Sequence, residues 1–125
     1  MSDAVSHVHH AIDYIELTVT DVASAKSFYA AAFGWDFNDY GPDYCGIKGA
    51  DREVGGLCKG EAVSAGGALV ILYSSDLEAS VGAVTEAGGT IVKDIFSFPG
   101  GRRFHFADPS GNELAVWSDV GVPAP

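Results

Sequence analysis

Glu16 and His105 are the side chains of this sequence best suited to proton chemistry. Each lies inside a short run of apolar or aromatic residues, Ile15-Glu16-Leu17-Thr18-Val19 and Phe104-His105-Phe106. A desolvated carboxylate or imidazole in such a run acts as a general base or acid. The plainer alternatives are a solvated or already paired carboxylate and a hydrogen-bonded structural histidine. Strand alternation places Tyr14 and Glu16 on one face, away from the apolar partners Ile15, Leu17 and Val19. The same rule turns Arg103 and His105, then Glu113, Ala115 and Trp117, and then Ile71 and Tyr73 to the equivalent face. The expected ligand-binding set is therefore Tyr14, Glu16, Tyr73, Arg103, His105, Glu113 and Trp117, with Glu16 and His105 as the catalytic candidates. An aromatic surface with a few convergent polar groups is how small-molecule sites are generally built.

The remaining reactive residues each have two readings. Tyr14 and Trp117 stack on a ligand or fill a subunit seam. Arg102 and Arg103, in Pro99-Gly100-Gly101-Arg102-Arg103, grip a carboxylate or phosphate from a loop, or balance charge on an acidic surface. His7, His9 and His10 attract metal incidentally within a flexible leader. Cys58, with no base or cation beside it in sequence, reads as a small buried hydrophobe. Gly-x-Ser-x-Gly, P-loop, Gly-x-Gly-x-x-Gly and Cys-x-x-Cys patterns are absent, which leaves no positive sign of a serine hydrolase, ATPase, dinucleotide enzyme or thiol oxidoreductase.

The elements that must position these residues come in two copies. An apolar strand, Ile12 to Thr20, runs into Asp21, a helix N-cap, and Gly34 closes the helical stripe Val22, Ala25, Phe28, Tyr29 and Ala32. A second strand, Ala68 to Tyr73, runs into Asp76, and Gly88-Gly89 close the stripe Leu77, Val81 and Val84. Three short strands follow each helix: near Asp36–Asn38, Tyr44–Lys48 and Gly55–Lys59, then Thr90–Lys93, Arg103–Ala107 and Glu113–Trp117. Asp51-Arg52-Glu53 and Asp108-Pro109-Ser110-Gly111-Asn112 read as turns. An internal repeat of this kind implies two supersecondary units burying apolar faces. The fold class is α+β, two tandem βαβββ modules whose helices cover one face of a curved mixed sheet. The chain divides into a leader (1–10), module one (11–60), a linker (61–67), module two (68–118) and a tail (119–125), all within a single domain.

Three segments resemble the vicinal oxygen chelate superfamily, which includes glyoxalase I, extradiol dioxygenases, and bleomycin and fosfomycin resistance proteins. They are Glu16-Leu17-Thr18-Val19-Thr20-Asp21 with Ala25-Lys26-Ser27-Phe28-Tyr29, Phe33-Gly34-Trp35, and Phe106-Ala107-Asp108-Pro109-Ser110-Gly111-Asn112-Glu113-Leu114. The resemblance implies paired modules curling into a cup, and a homodimer. It also implies metal ligands, usually His, Glu or Gln, on the first and last strand of each module. The positions that correspond are Tyr14, Gly56, Leu69 and Ala115. Leu and Ala offer no donor, Gly only backbone, and a neutral phenol is a poor ligand. No metal or other cofactor is expected at the standard seat.

Composition narrows the partners. The chain has 125 residues and a net charge of −10, with seven basic against seventeen acidic side chains. Nucleic acid and anionic membranes are bound through clustered Lys and Arg, so neither is expected. No apolar run reaches the roughly 20 residues of a membrane span, and Met1 to His10 does not read as a signal peptide. Cys45 and Cys58, in no metal or redox spacing, fit a reduced, cytoplasmic protein. The expectation is a metal-independent protein that holds a small organic molecule in an aromatic cup between the modules. One alternative is a metal-dependent lyase, isomerase or dioxygenase with a displaced divalent site built from Glu16, His105 and Glu113. Another is a non-catalytic protein-interaction module.

Overall fold

Alternation and capping decide where each element starts and stops. A computed structural model of the chain describes residues 7–61 and 67–121. The chain forms two compact units, the first holding Tyr14–Leu69, the second His7–Asp13 together with the chain from Val70 onward.

In the first unit the strand β1 (Ile12–Val19) ends at Asp21, whose carboxylate accepts from the Ser24 amide at 3.1 Å. That bond satisfies one orphan donor of helix α1 (Val22–Phe33) and contributes about 1 kcal/mol. Gly34, at φ 73°, stops the helix in the left-handed conformation that glycine adopts most readily. Strands β2 (Phe37–Asp39), β3 (Tyr44–Lys48) and β4 (Glu53–Lys59) follow, in the sheet order β2-β3-β4-β1. β4 lies parallel to β1, and the other pairs are antiparallel. Leu17 and Val19 turn inward against Val22, Ala25, Tyr29, Cys45, Ile47 and Leu57. Phe28, expected in the helical stripe, is 58% exposed; with Phe33 at 66% it leaves an aromatic ridge on the outside of α1.

The second unit repeats the plan with β5 (Ala68–Tyr73), α2 (Leu77–Glu86), β6 (Thr90–Phe98), β7 (Gly101–Ala107) and β8 (Glu113–Ser118), in the order β5-β8-β7-β6. Asp76 caps α2 through the Ala79 amide. The expected stripe Leu77, Val81 and Val84 packs on Phe104, Phe106, Val116 and Leu72. The fold class read from the repeat is the one observed within each unit: a four-stranded mixed sheet with one helix on one face.

Three local expectations need correction. β6 runs on to Phe98 rather than ending at Lys93, because two register shifts absorb the break in alternation around Lys93-Asp94. The arginine loop is instead a tight hairpin: Phe98 pairs with Gly101, Pro99-Gly100 form the turn, and both arginines lie on β7. Glu53, read as part of a turn, is the first residue of β4. The linker region falls largely on residues 62–66, and the last residues of the tail on 122–125, outside the described residues. Asp119 and Val120 of that tail do make contacts with the second unit, through the Tyr73 hydroxyl and the Arg102 guanidinium respectively. No helix among the described residues is long and apolar enough to cross a membrane.

Candidate functional site

In the first unit the face opposite the helix carries Asn38, Gly46, Gly56 and Glu16 in one cross-strand row. The two glycines leave a trough, and larger neighbours lie down in it. A Cβ at Gly56 would land on the Tyr44 phenol, and one at Gly46 on the Glu53 carboxyl. Tyr14 and Tyr44 meet hydroxyl to hydroxyl at 2.6 Å. Tyr14 donates to Glu53 Oε2 at 2.9 Å and Tyr44 to Glu16 Oε2 at 3.0 Å. Glu53 Oε1 also accepts from the Tyr40 hydroxyl at 2.7 Å and the Asn38 amide at 3.1 Å. Two phenolic protons thus serve three contacts along the chain Glu53–Tyr14–Tyr44–Glu16. With both carboxylates ionised, one contact at a time lacks a proton. Burial, with the Tyr44 and Glu53 partners adding to it, pushes the Tyr14 phenol far above its ordinary range. Burial raises Tyr44 as well; the bond from Tyr14 opposes this and the Glu16 and Glu53 carboxylates reinforce it. Both phenols therefore stay neutral at any physiological pH.

Glu53 reaches this face through a bulge. β3 and β4 pair Ile47 with Gly55 but Lys48 with Glu53, a slip of one residue. A one-residue slip flips side chains to the other face. Without it Glu53 would share the helix side with Gly55 and Leu57. The helix side of this unit has an open apolar groove of about 340 Å³ along Ile15, Leu17, Trp35, Ile47 and Val54, with Lys48 as its one charged lining residue.

In the second unit alternation holds along β7 and β8. Phe104 and Val116 are buried in the core, and His105, Ala115 and Trp117 take the other face. His105 is 4% exposed. Its Nδ1 lies 2.9 Å from Glu113 Oε2, so the tautomer that satisfies this carboxylate carries its proton on Nδ1. Nε2 is then a bare acceptor, buried and with no hydrogen-bond partner among the described residues. Burial holds this imidazole below its usual range; the Glu113 bond opposes that, and the Arg103 and Lys93 charges add to it. The Phe96 ring lies 5.8 Å from His105. Arg103 places its guanidinium over Phe96 and Phe98, 5.6 and 5.8 Å from their centroids. Arg102, its neighbour on β7, bonds Glu78 of α2 at 2.6 and 3.3 Å.

Farther along the same face Tyr73 and Trp117 pair across β5 and β8, their rings 5.3 Å apart in an edge contact. His7 stacks on Tyr73 and bonds Asp13, while Trp117 Nε1 donates to the other Asp13 oxygen at 2.9 Å. The Tyr73 hydroxyl donates to Asp119 at 2.6 Å. Burial, and then that bond, push Tyr73 up to about 12. His9 and His10, read as leader residues, bond Ser75 and Ser80.

Of the residues named from sequence, Tyr14 and Glu16 join one network in the first unit. His105 with Glu113, Tyr73 with Trp117, and Arg103 share a face in the second. Sequence reasoning gave Tyr44 and Glu53 only a strand and a turn position and His7 only incidental metal affinity, and it did not name Asp13, Asp119, Phe96 or Phe98. The Gly46/Gly56 pair was the available signal for the first network, since paired glycines in a sheet mark a close approach. The positions that hold metal in the resembling family do not fit a metal here. Leu69 and Ala115 have no donor, Gly56 lies under two phenols, and Tyr14 is a neutral, doubly engaged hydroxyl. Among the described residues no group of three or more His, Cys, Asp or Glu is placed to hold an ion.

Residues 11–116 match the family model described as the Glyoxalase/Bleomycin resistance protein/Dioxygenase superfamily. A glyoxylase-like domain-containing protein of Didymella fabae is 30% identical over 129 residues, covering 91% of this chain and 98% of that protein. Among solved structures, Streptomyces coelicolor methylmalonyl-CoA epimerase superposes with a TM-score of 0.70 at 15% identity, covering 94% of this chain and 100% of that one. The Mn(II)-bound glyoxalase of Novosphingobium aromaticivorans gives 0.66 at 23% identity, with 93% of this chain matching 40% of its length.

Proposed function

The chain belongs to the glyoxalase/bleomycin resistance protein/dioxygenase superfamily, and on that premise we propose that it is a metal-independent member that holds a small organic molecule on the aromatic face of its second unit. The observation that carries this reading is His105 Nε2, a buried acceptor with no partner among the described residues. Leaving such a group unsatisfied costs about 1–3 kcal/mol, and a ligand N–H or O–H removes that cost. Arg103, Phe96 and Trp117 supply charge and flat apolar surface beside it. An imidazole held below its usual range is a weak base. That favours accepting a hydrogen bond over abstracting a proton. The donor-poor residues at the family's ligand positions support metal independence.

Two measurements on the untagged 125-residue chain test this reading. After dialysis against a chelator, elemental analysis should find far less than one divalent ion per chain; about one retained ion would replace this reading with a glyoxalase-like, metal-dependent one. A thermal-shift screen of small organic molecules should find compounds that stabilise the native chain but not His105→Leu. The reading fails if none does. We further propose a homodimer, because the exposed Phe28 and Phe33 leave apolar area on α1. Light scattering that finds a monomer at tens of micromolar would refute that.

A further inference from the structure

The aromatic pair of the second unit already holds a ring, and it belongs to the chain itself. The His7 imidazole stacks on Tyr73, with centroids 4.9 Å apart and planes 19° from parallel. It meets Trp117 edge-on at 5.1 Å and 88°. Its Nδ1 lies 2.9 Å from Asp13 Oδ1. Asp13 is 6% exposed, and its second oxygen is fixed by the Trp117 indole. One flat face, one edge and one buried carboxylate thus converge on a planar ring with an N–H.

We propose that Tyr73, Trp117 and Asp13 form a binding box for a planar cation bearing N–H donors, of the imidazolium or amidinium class, and that His7 fills it as an internal stand-in. This deepens the small-molecule reading above and rests on it. Aromatic faces attract cations through the ring quadrupole, most strongly when desolvated. A buried carboxylate pairs with a delocalised N–H cation in a fixed geometry. Tyr73 is bonded to Asp119 and stays neutral below about pH 12, so its ring remains an intact phenol face. Arg103, the cross-strand partner of Trp117, has its guanidinium over Phe96 and Phe98. The net charge of −10 favours a cationic guest over an anionic one.

The segment that delivers His7 is anchored behind it. The His10 amide donates to the Tyr73 carbonyl at 2.7 Å, the Tyr73 amide to the Ala11 carbonyl at 3.1 Å, and the Ala11 amide to the Val8 carbonyl at 3.0 Å. His9 and His10 add side-chain bonds to Ser75 and Ser80. With residues 8–11 held by these bonds, the His7 ring can turn out while the backbone behind it stays in place.

The test uses benzamidinium and benzoate, planar probes of similar shape and opposite charge. The readout is the indole N–H resonance of Trp117, with Trp35, the chain's other tryptophan, as internal reference. In His7→Ala, benzamidinium should shift the Trp117 signal saturably, with affinity at least ten-fold tighter than in the native chain and than benzoate. Trp35 should not move, and adding Asp13→Asn should remove the gain. Equal binding by native chain and His7→Ala, or equal binding of benzoate, would overturn the proposal. If His7→Ala does not fold, the native chain decides the matter. Saturating benzamidinium should move the His7 ring protons from ring-current-shifted to free-histidine positions; binding that leaves them unmoved overturns the displacement. Should benzamidinium fail while another compound binds beside His105, the ligand class is wrong and the small-molecule reading stands. Should nothing bind, both fall.

Discussion

The two units share one motif and differ at the positions that correspond to the family's metal ligands. In the first, the seat is filled: Tyr14 and Tyr44 lie over Gly56 and spend their hydroxyls on each other and on two carboxylates. In the second, Ala115 stands at the corresponding last-strand position with no donor, and its cross-strand neighbour His105 keeps a nitrogen without a partner among the described residues. The first face is closed by its own hydrogen bonds and the second is left with unmet demand. Duplication therefore does not make the halves equivalent. On the proposed reading, the half with an unsatisfied polar group is the one that binds, and the half closed by its own hydrogen bonds serves structure.

The most disruptive way to probe that contrast is to exchange the two matching last-strand residues. Gly56→Ala drives a methyl group into the Tyr44 phenol and breaks its bonds to Tyr14 and Glu16. The expected loss is about 2–3 kcal/mol, from two severed bonds among partly buried groups plus crowding. Ala115→Gly removes a methyl group from a fully buried site and loosens the strand, for about 1 kcal/mol. Chemical denaturation of both variants measures the difference. Equal losses would mean that the phenol network adds nothing to the first unit.

A subtler pair deletes one polar group from each face. Tyr14→Phe keeps the ring but leaves Glu53 Oε2 and the Tyr44 hydroxyl short of a partner, for a cost of about 1–2 kcal/mol. His105→Leu removes an imidazole that satisfies only one of its nitrogens, and the Glu113 it releases is half exposed and rehydrates. Its stability should change by less than about 1 kcal/mol, while ligand-dependent stabilisation disappears. A large destabilisation by His105→Leu would show that the histidine is structural, and would remove the argument for a ligand there.

The sequence displayed most of the fold and part of the site, and the division has physical causes. Asp21, Gly34 and Asp76 act through local backbone chemistry, so their roles follow from residue type. Tyr14, Glu16, His105 and Trp117 were placed on the correct face because strand alternation is rigid between irregularities. Glu53 reads as a turn residue because the bulge that brings it into β4 arises from pairing across strands rather than along them. Arg102 reads as a loop residue because a Pro-Gly-Gly cluster resembles a long turn, whereas only two of its residues are used; Arg103 stands on the strand that alternation gives it. His7 reads only as an incidental metal binder, and Asp13 escapes notice, because their partners, Tyr73 and Trp117, are distant in sequence and nothing local to Asp13 marks it as buried.

The smallest expected effects are in pH dependence, and their signs oppose each other. The first unit holds Tyr14 and Tyr44 above the ordinary phenol value of about 10. An unfolded chain gives up those protons first, so stability should fall as pH rises through that value. Tyr14→Phe should shrink this alkaline arm and leave the part that Tyr44 and Tyr73 contribute. The second unit holds His105 below the ordinary imidazole value of about 6.5. There the unfolded chain binds a proton that the folded chain resists, so stability is full above that value and declines as pH falls toward the lowered one. His105→Leu should flatten this acidic arm and leave the alkaline arm intact. Urea midpoints measured across both ranges decide the matter. If the acidic decline persists unchanged in His105→Leu, the imidazole is not held neutral by burial, and Nε2 is not the bare acceptor on which the ligand site depends.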